Sequence, residues 1–172
     1  MSRLILAGLL ALASGVTATA ARAENPFGLE VAGWSSRQAP TGTVYFSCQQ
    51  AACGGEQGLI SISRRAPMPD MTLERFKATQ IAINSQILAR VPGIRASTLG
   101  SAMMAPAKSV LIFTMPRDQV VASGEERFFL VALLVGPSGT LSVLSDGPSR
   151  KIADGNFRLF LPRLIQLAES LR

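Results

Sequence analysis

The sequence contains no histidine and only two cysteines among its 172 residues. Without histidine, neither a Ser-His-Asp triad nor a Cys-His pair can form, which excludes two common routes to nucleophilic catalysis. Structural zinc sites normally take four ligands from Cys and His, so two thiols alone cannot complete one. Adjacent carboxylates occur at Glu125 and Glu126, beside Gly124, where they indicate a solvated turn. We therefore predict a protein without catalytic activity, metal or cofactor.

Charged side chains are also sparse, at 16% of the chain, with 17 basic and 11 acidic residues. The basic residues are dispersed, and only Arg64-Arg65 and Arg150-Lys151 form adjacent pairs. Dispersed charge of this kind is typical of a solvated surface. Because the basic residues are not interleaved with aromatic ones, the sequence predicts no nucleic-acid partner.

Long hydrophobic runs are absent from residue 24 onward, so the mature chain has no candidate for a spanning helix of about 20 apolar residues. The run from Leu4 to Ala13 is short, follows Arg3, and precedes the small residues Ala21 and Ala23. This pattern is typical of a secretory signal peptide that is removed on export. We predict cleavage near Ala23 and a periplasmic or secreted product.

The remaining residues are numerous enough for one domain with a complete hydrophobic core. We predict a signal peptide over 1–23, an N-terminal lead-in over 24–42, with a short strand at 30–36, and a single domain over 43–172.

Cys48 and Cys53 are separated by four residues, a spacing that differs from the C-x-x-C of thioredoxin-like motifs. An even number of cysteines in an exported chain favours a disulfide. Cys48 ends one predicted strand, and Gly54-Gly55 relax the loop before the next. A structural disulfide is therefore the main hypothesis, and a labile redox pair is the alternative.

Hydrophobic periodicity predicts two helices separated by a β-rich segment. The first helix covers 72–91, with Thr72 as its N-cap, and the second covers 150–171, with a kink or break expected near Leu161 because of Pro162. The predicted strands are 43–48, 58–65, 95–104 with an irregularity at Gly100, 108–115, 127–135 and 140–146.

The strand at 127–135 carries apolar residues in both alternating sets, beginning with Phe128 and Phe129. Such a strand must be covered on both faces, whereas a strand with one wet face alternates with polar residues. We therefore predict an α+β fold, a largely antiparallel sheet with one helix on each face, in an α/β/α sandwich.

The first predicted helix has an apolar stripe made of Leu73, Phe76, Ile83, Ile87 and Val91. Gln80 lies within this stripe and Asn84 lies at its margin. The two amides either border the core through hydrogen bonds or face a ligand in a pocket between sheet and helix.

A partner surface is predicted near the cysteine loop, at Trp34, Arg64 and Arg65, because Trp and Arg are common interface anchors. The alternative for Trp34 is a place in the core.

The order of elements after a signal peptide resembles the PsbP-like superfamily of small exported proteins. The resemblance is carried by "YFSC" on an early strand, "MPDMTLERF" before the first helix, the strand "RFFLVALLVG" and the closing helix "NFRLFLPRLIQLAESL". It implies a non-enzymatic accessory or assembly role at the cell envelope. The superfamily is named for an extrinsic protein of the photosynthetic oxygen-evolving complex, and no functional residue of that protein can be placed on this sequence.

Three hypotheses for function remain. The leading one is an exported periplasmic binding or assembly module without catalytic activity, whose partner is an envelope protein or a small molecule. The second is a thiol-disulfide redox protein that uses Cys48 and Cys53. The third is a small-molecule carrier with a pocket bordered by Gln80 and Asn84.

Overall fold

The computed structural model describes residues 25–55 and 58–171. The predicted signal peptide lies outside these residues. Within them, the two helices are α1 (Leu73–Arg90) and α2 (Arg150–Ser170). The strands are β1 (Trp34–Gln38), β2 (Val44–Cys48), β3 (Leu59–Arg65), β4 (Ile94–Leu99), β5 (Met103–Ala107), β6 (Val110–Val121), β7 (Glu126–Val135) and β8 (Thr140–Gly147).

The strands form one antiparallel sheet in the order β1-β2-β3-β8-β7-β6-β4, and β5 pairs with β6 on the same side as β4. The strand predicted over 95–104 is divided in two around Gly100. The amide of Gly100 donates to the Pro116 carbonyl at 2.9 Å, and a Cβ at this position would lie 3.2 Å from the Pro116 ring. Close packing against Pro116 therefore accounts for the predicted irregularity.

The first helix begins at its predicted cap, and the second begins after a cap that the sequence analysis did not name. The Thr72 side chain accepts from the Arg75 amide at 3.2 Å, and the Ser149 side chain accepts from the Ile152 amide at 3.3 Å. Of the kink or break expected near Leu161, the break was wrong, because α2 continues through Pro162, and the kink stays a prediction. Pro162 and Arg158, whose carbonyl loses its helical donor, are both exposed, so water can satisfy that carbonyl.

The residues of β7 divide between two separate hydrophobic clusters. Leu130, Ala132 and Leu134 belong to a large cluster with Phe157 and Phe160 of α2. Leu133 and Val135 belong to a smaller cluster with Phe76 of α1. Since successive side chains of a strand point to opposite faces, the two-sided apolar pattern of this strand is explained by burial in two separate clusters.

Burial of β7 begins later than the sequence predicted. Phe128 and Phe129 are only half-buried, and complete burial starts at Leu130.

The α+β class and the antiparallel sheet are confirmed, whereas the sandwich with one helix on each face stays a prediction. α1 packs against β4 and β6, and α2 packs mainly against β7 and β8.

The buried line of α1 follows the middle of the predicted stripe. Phe76 and Gln80 are its buried residues. Ile83, at the margin of the stripe, and Val91, beyond the last residue of the helix, are 38% and 46% exposed. Gln80 is the polar residue of this buried line because it meets a polar position on β6, which is described below.

Candidate functional site

Trp34, at the start of β1, forms one wall of an open cleft. Its side chain is half-buried, and its ring meets that of Phe160 edge to face with centroids 5.0 Å apart. One side of the indole thus packs on the core and the residue also lines the cleft, while its role in a partner surface stays a prediction. The cleft has a volume of about 820 Å³ and is lined by Asn25, Gly28, Leu29, Glu30, Val31, Ala32, Trp34, Ser35, Ser36 and Phe46.

The segment that precedes β1 supplies the opposite wall of this cleft. Leu29 and Val31 are buried in the larger hydrophobic cluster, and Trp34 packs against the same cluster. A turn closes between them, because the Trp34 amide donates to the Val31 carbonyl at 3.0 Å. Burial of these two side chains therefore fixes the lead-in beside the edge of the sheet and holds the cleft open.

The cysteine loop adjoins the same end of β1. Cys48 is fully buried and lies directly opposite Trp34 in the β1–β2 register. Cys48 and Cys53 are at disulfide distance, as predicted, with Cα atoms 6.1 Å apart. A single 3₁₀ turn, Ala51–Cys53, bridges them.

The second helix fastens this loop to the domain. The buried side chain of Asn156 donates from Nδ2 to the Cys53 carbonyl at 2.9 Å. Gly54 packs so closely that a Cβ there would lie 2.9 Å from the Pro148 ring. The loop is thus a fixed structural element beside the cleft.

The two arginines of the predicted partner surface end β3 and are exposed. Arg64 lines a second cleft of about 240 Å³, together with Pro26, Phe27, Gln38, Thr41, Gly42 and Ser63. Gln38 ends β1, so the two clefts lie at opposite ends of that strand. The structure therefore does not bring Arg64 and Arg65 together with Trp34 and the cysteine loop, because the arginines lie at the far end of β3 from Gly58, which adjoins Cys48. Arg65 is paired with Thr140 of β8 and is not among the lining residues of either cleft.

The two amides of α1 make hydrogen bonds to the sheet. Gln80 Oε1 accepts from Arg117 Nη2 at 3.0 Å. Asn84 Nδ2 donates to the Ser97 carbonyl at 3.0 Å, and its Oδ1 accepts from the Ser97 hydroxyl at 2.5 Å. Of the two roles predicted for this pair, these contacts favour the hydrogen-bonded border of the core.

Sequence reasoning missed two buried charged residues on the sheet, Arg117 of β6 and Asp146 of β8, which flank Phe129 of β7. Arg117, Phe129 and Asp146 are directly opposite one another on β6, β7 and β8. Arg117 is 6% exposed, and its Nε has no hydrogen-bond partner among the described residues. Burial lowers the pKa of Arg117. The sequence does contain an indication of this burial. Phe113, Met115 and Arg117 alternate along one predicted strand and its extension, so the arginine points to the same face as two apolar residues.

Asp146 is almost fully buried and forms an ion pair with the half-exposed Arg127. Burial raises the pKa of Asp146 to about 6, although the Arg127 charge acts in the opposite direction. Because the folded state then binds a proton more tightly than the unfolded state, protonation of Asp146 stabilises the fold. This contribution is complete below about pH 4 and is lost as the pH rises through about 6.

We therefore expect Asp146→Asn to remove part of the decline in unfolding free energy that the native chain shows between pH 4 and pH 6. The difference is on the order of 2–3 kcal/mol at most. Urea unfolding at several pH values measures it. Asp154→Asn is the matched control, because Asp154 is a partly exposed carboxylate paired with Arg158. Equal pH dependence in the native chain and Asp146→Asn would contradict the assignment.

No group of three or more His, Cys, Asp or Glu side chains suited to a metal ion occurs within residues 25–55 and 58–171. In the same residues, neither helix has the length and apolar character needed to cross a membrane.

The sequence matches no protein-family model and no curated protein sequence. Among solved structures, it is similar to PsbP (CyanoP) from the cyanobacterium Synechocystis sp. PCC 6803, with a TM-score of 0.55 and 14% identity over 86% of this chain and 87% of that chain. It is also similar to the Ran-binding protein Mog1p from Saccharomyces cerevisiae, with a TM-score of 0.48 and 12% identity over 80% and 82% of the two chains.

A third similar structure is PA94, a protein of unknown function from Pseudomonas aeruginosa. Its TM-score is 0.45, with 12% identity over 81% of this chain and 96% of that chain. At these identities a likeness shows the fold alone. The CyanoP comparison spans most of both chains. The chain therefore has the PsbP-like fold.

Proposed function

We propose that this protein is an exported, non-catalytic binding or assembly module of the bacterial cell envelope. The observation that carries the proposal is the cleft of about 820 Å³ between the lead-in and β1, with Trp34 in its wall. Ligand sites are typically concave, mostly preformed and about 300–1,000 Å³ in volume. The cleft combines apolar side chains with the single acidic residue Glu30 and exposed backbone, which suits recognition rather than chemistry.

The export component rests on the sequence pattern of residues 1–23 and on the cysteine pair. Disulfides persist in oxidising compartments such as the periplasm. A buried Cys48 within a loop fastened by Asn156 is compatible with that environment. N-terminal sequencing of protein from the envelope fraction is expected to begin at Glu24.

Two alternative functions, a small-molecule carrier and a redox protein, would each use specific residues. A small-molecule carrier would use the Trp34 cleft, since the Gln80 and Asn84 amides already bond to Arg117 and Ser97. A redox function would use Cys48 and Cys53, and a reduction potential below about −300 mV would mark the pair as structural instead.

We expect Trp34→Ala to lose most of the capture of the native partner, and Trp34→Phe to retain most of it. The measurement is quantitative crosslinked pull-down from envelope extracts, combined with native mass spectrometry for a co-purifying small molecule. Trp34 is the only tryptophan in the chain, so its fluorescence reports directly on occupancy of the cleft. Capture that is equal for Trp34→Ala and the native chain would place the binding site elsewhere and sink the proposal.

A further inference from the structure

We propose that the outer edge of β1 binds an extended segment of a partner polypeptide, which adds a strand to the sheet. This inference rests on the proposed binding function and specifies its partner class and its mode of recognition. Addition of a strand to an open sheet edge is a common mode, in which backbone hydrogen bonds give affinity and pockets for alternate side chains give specificity.

The backbone of β1 presents a regular set of outward groups. Gly33 and Ala39 bond to β2, since the Gly33 carbonyl accepts from Gln49 and the Ala39 amide donates to Thr43. Residues of an antiparallel ladder alternate between facing the partner strand and facing away. The amides and carbonyls of Ser36 and Gln38 therefore face away from β2. Among the described residues, β1 is the last strand on this side of the sheet.

The opposite edge of the sheet, formed by β4 and β5, is less accessible to an added strand than the edge formed by β1. On β4, the outward carbonyl of Ser97 already accepts from Asn84. On β5, Pro106 lies in the middle of a strand of five residues and has no amide proton to offer. Proline and covering groups are usual means by which proteins block edge strands. β1 contains no proline. The outward amide of Trp34 donates to Val31, whereas the outward amides and carbonyls of Ser36 and Gln38 have no backbone partner within residues 25–55 and 58–171.

The two clefts define the side chains that such a segment would carry. The larger cleft lies beside Trp34 and Ser36, and its apolar wall suits a large apolar side chain. The smaller cleft lies beside Gln38 and has Arg64 as the one charged residue in its lining. Arg64 has no salt-bridge partner among the described residues, so an acidic side chain would complement it.

The positions of these two side chains follow from strand geometry. Trp34 and Gln38 are four residues apart, and residues i and i+4 of a strand lie on the same face. The expected ligand is therefore an extended segment with a large apolar residue and an Asp or Glu four positions apart. A second copy of β1 would fit poorly, because its sequence WSSRQ contains no acidic residue to meet Arg64.

The test is selection of ten-residue random peptides, displayed on phage, against the exported, disulfide-containing mature protein. We expect enrichment of peptides with a large apolar residue and an acidic residue four positions apart. We expect Ser36→Pro, which removes one outward amide, to weaken binding of the enriched peptides at least tenfold. Ser36→Ala keeps that amide and should bind within about twofold of the native chain. Calorimetric titration measures each affinity.

Synthetic peptides give a second measurement that does not depend on folding of the proline variant. N-methylation of alternate peptide amides in one register should abolish binding, whereas methylation in the other register should leave it intact. Arg64→Glu should prefer peptides in which the acidic residue is replaced by Lys.

Three results would overturn the inference. They are absence of enrichment, binding that tolerates N-methylation in both registers, and a dimer in analytical ultracentrifugation that Ser36→Pro abolishes. If Trp34→Ala loses the native partner while Ser36→Pro keeps it, the proposed binding function stands and strand addition fails. If peptides bind in the predicted way but Trp34→Ala keeps the native partner, the proposed site of that partner is wrong instead.

Discussion

Replacement of Phe160 by alanine is expected to lower the free energy of unfolding by about 3–5 kcal/mol, the usual cost of truncating a buried phenylalanine. The Phe160 ring is fully buried and meets the rings of Trp34 and Phe46 with centroids 5.0 and 5.1 Å apart. The variant therefore loses buried apolar area and two edge-to-face aromatic contacts, and it leaves a cavity that the rigid sheet cannot fill. Urea unfolding followed by circular dichroism measures the change.

Leu159→Ala is the matched control, because Leu159 is the preceding residue of α2 and is 48% exposed. It should change the free energy of unfolding by less than about 1 kcal/mol. Phe160→Ala should also red-shift the fluorescence of Trp34, since the indole loses its buried neighbour. Equal destabilisation by the two substitutions would show that α2 does not pack on this face as described.

Replacement of both cysteines by alanine is expected to lower the free energy of unfolding by about 2 kcal/mol. The loop between them is short, so the entropic restriction of the unfolded chain is small, and the effect is correspondingly moderate. Fluorescence-monitored urea unfolding of protein exported to the periplasm provides the value. The native chain under reducing conditions should approach the double variant.

The prediction for the cysteines has a direct chemical check. Thiol labelling of exported, denatured protein should find neither Cys48 nor Cys53 free. If both thiols are labelled, the disulfide is absent in the native compartment. A pair that reacts readily with a mild reductant, at a potential near that of the periplasmic oxidants, would instead favour the redox alternative.

The helices and most strands could be predicted from local sequence, because their ends depend on short-range interactions. Thr72 and Ser149 cap α1 and α2 with their own side chains. The apolar run of β7 predicted burial on both faces, and the glycine and proline residues between β7 and β8 predicted their hairpin. The spacing of the cysteines likewise predicted a local bond.

The partner of Gln80 could not be predicted in this way. Hydrophobic periodicity identified the stripe of α1 that contains Phe76 and Gln80, but the sequence did not show that a buried arginine on β6 requires an acceptor from this helix. Gln80 supplies that acceptor across 37 residues of sequence, at 3.0 Å from Arg117 Nη2. Arg117 lies in a strand whose partners are set by sheet order, so the pairing is invisible to a reading of either segment alone.

The candidate site shows the same division. The sequence predicted one surface that combines Trp34, Arg64 and Arg65 near the cysteine pair, whereas the structure places Trp34 and the cysteines at one end of β1 and Arg64 at the other. Their arrangement depends on β1 being an edge strand, on Leu29 and Val31 entering the core, and on Phe160 lying under the indole. These are contacts between segments far apart in the chain, and the local signals carry no information about them.

The sequence by itself determined which segments become helix or strand, where the helices begin, and that the chemistry of histidine and of four-ligand zinc is absent. The tertiary structure decided which edge of the sheet is left open, which buried residue Gln80 of α1 pairs with, and where a cleft remains. The physical reason is the sequence separation over which the interactions act. Capping, turn formation and periodicity act within a few residues, whereas sheet order and the packing of helices on it are decided by burial of side chains from the whole chain.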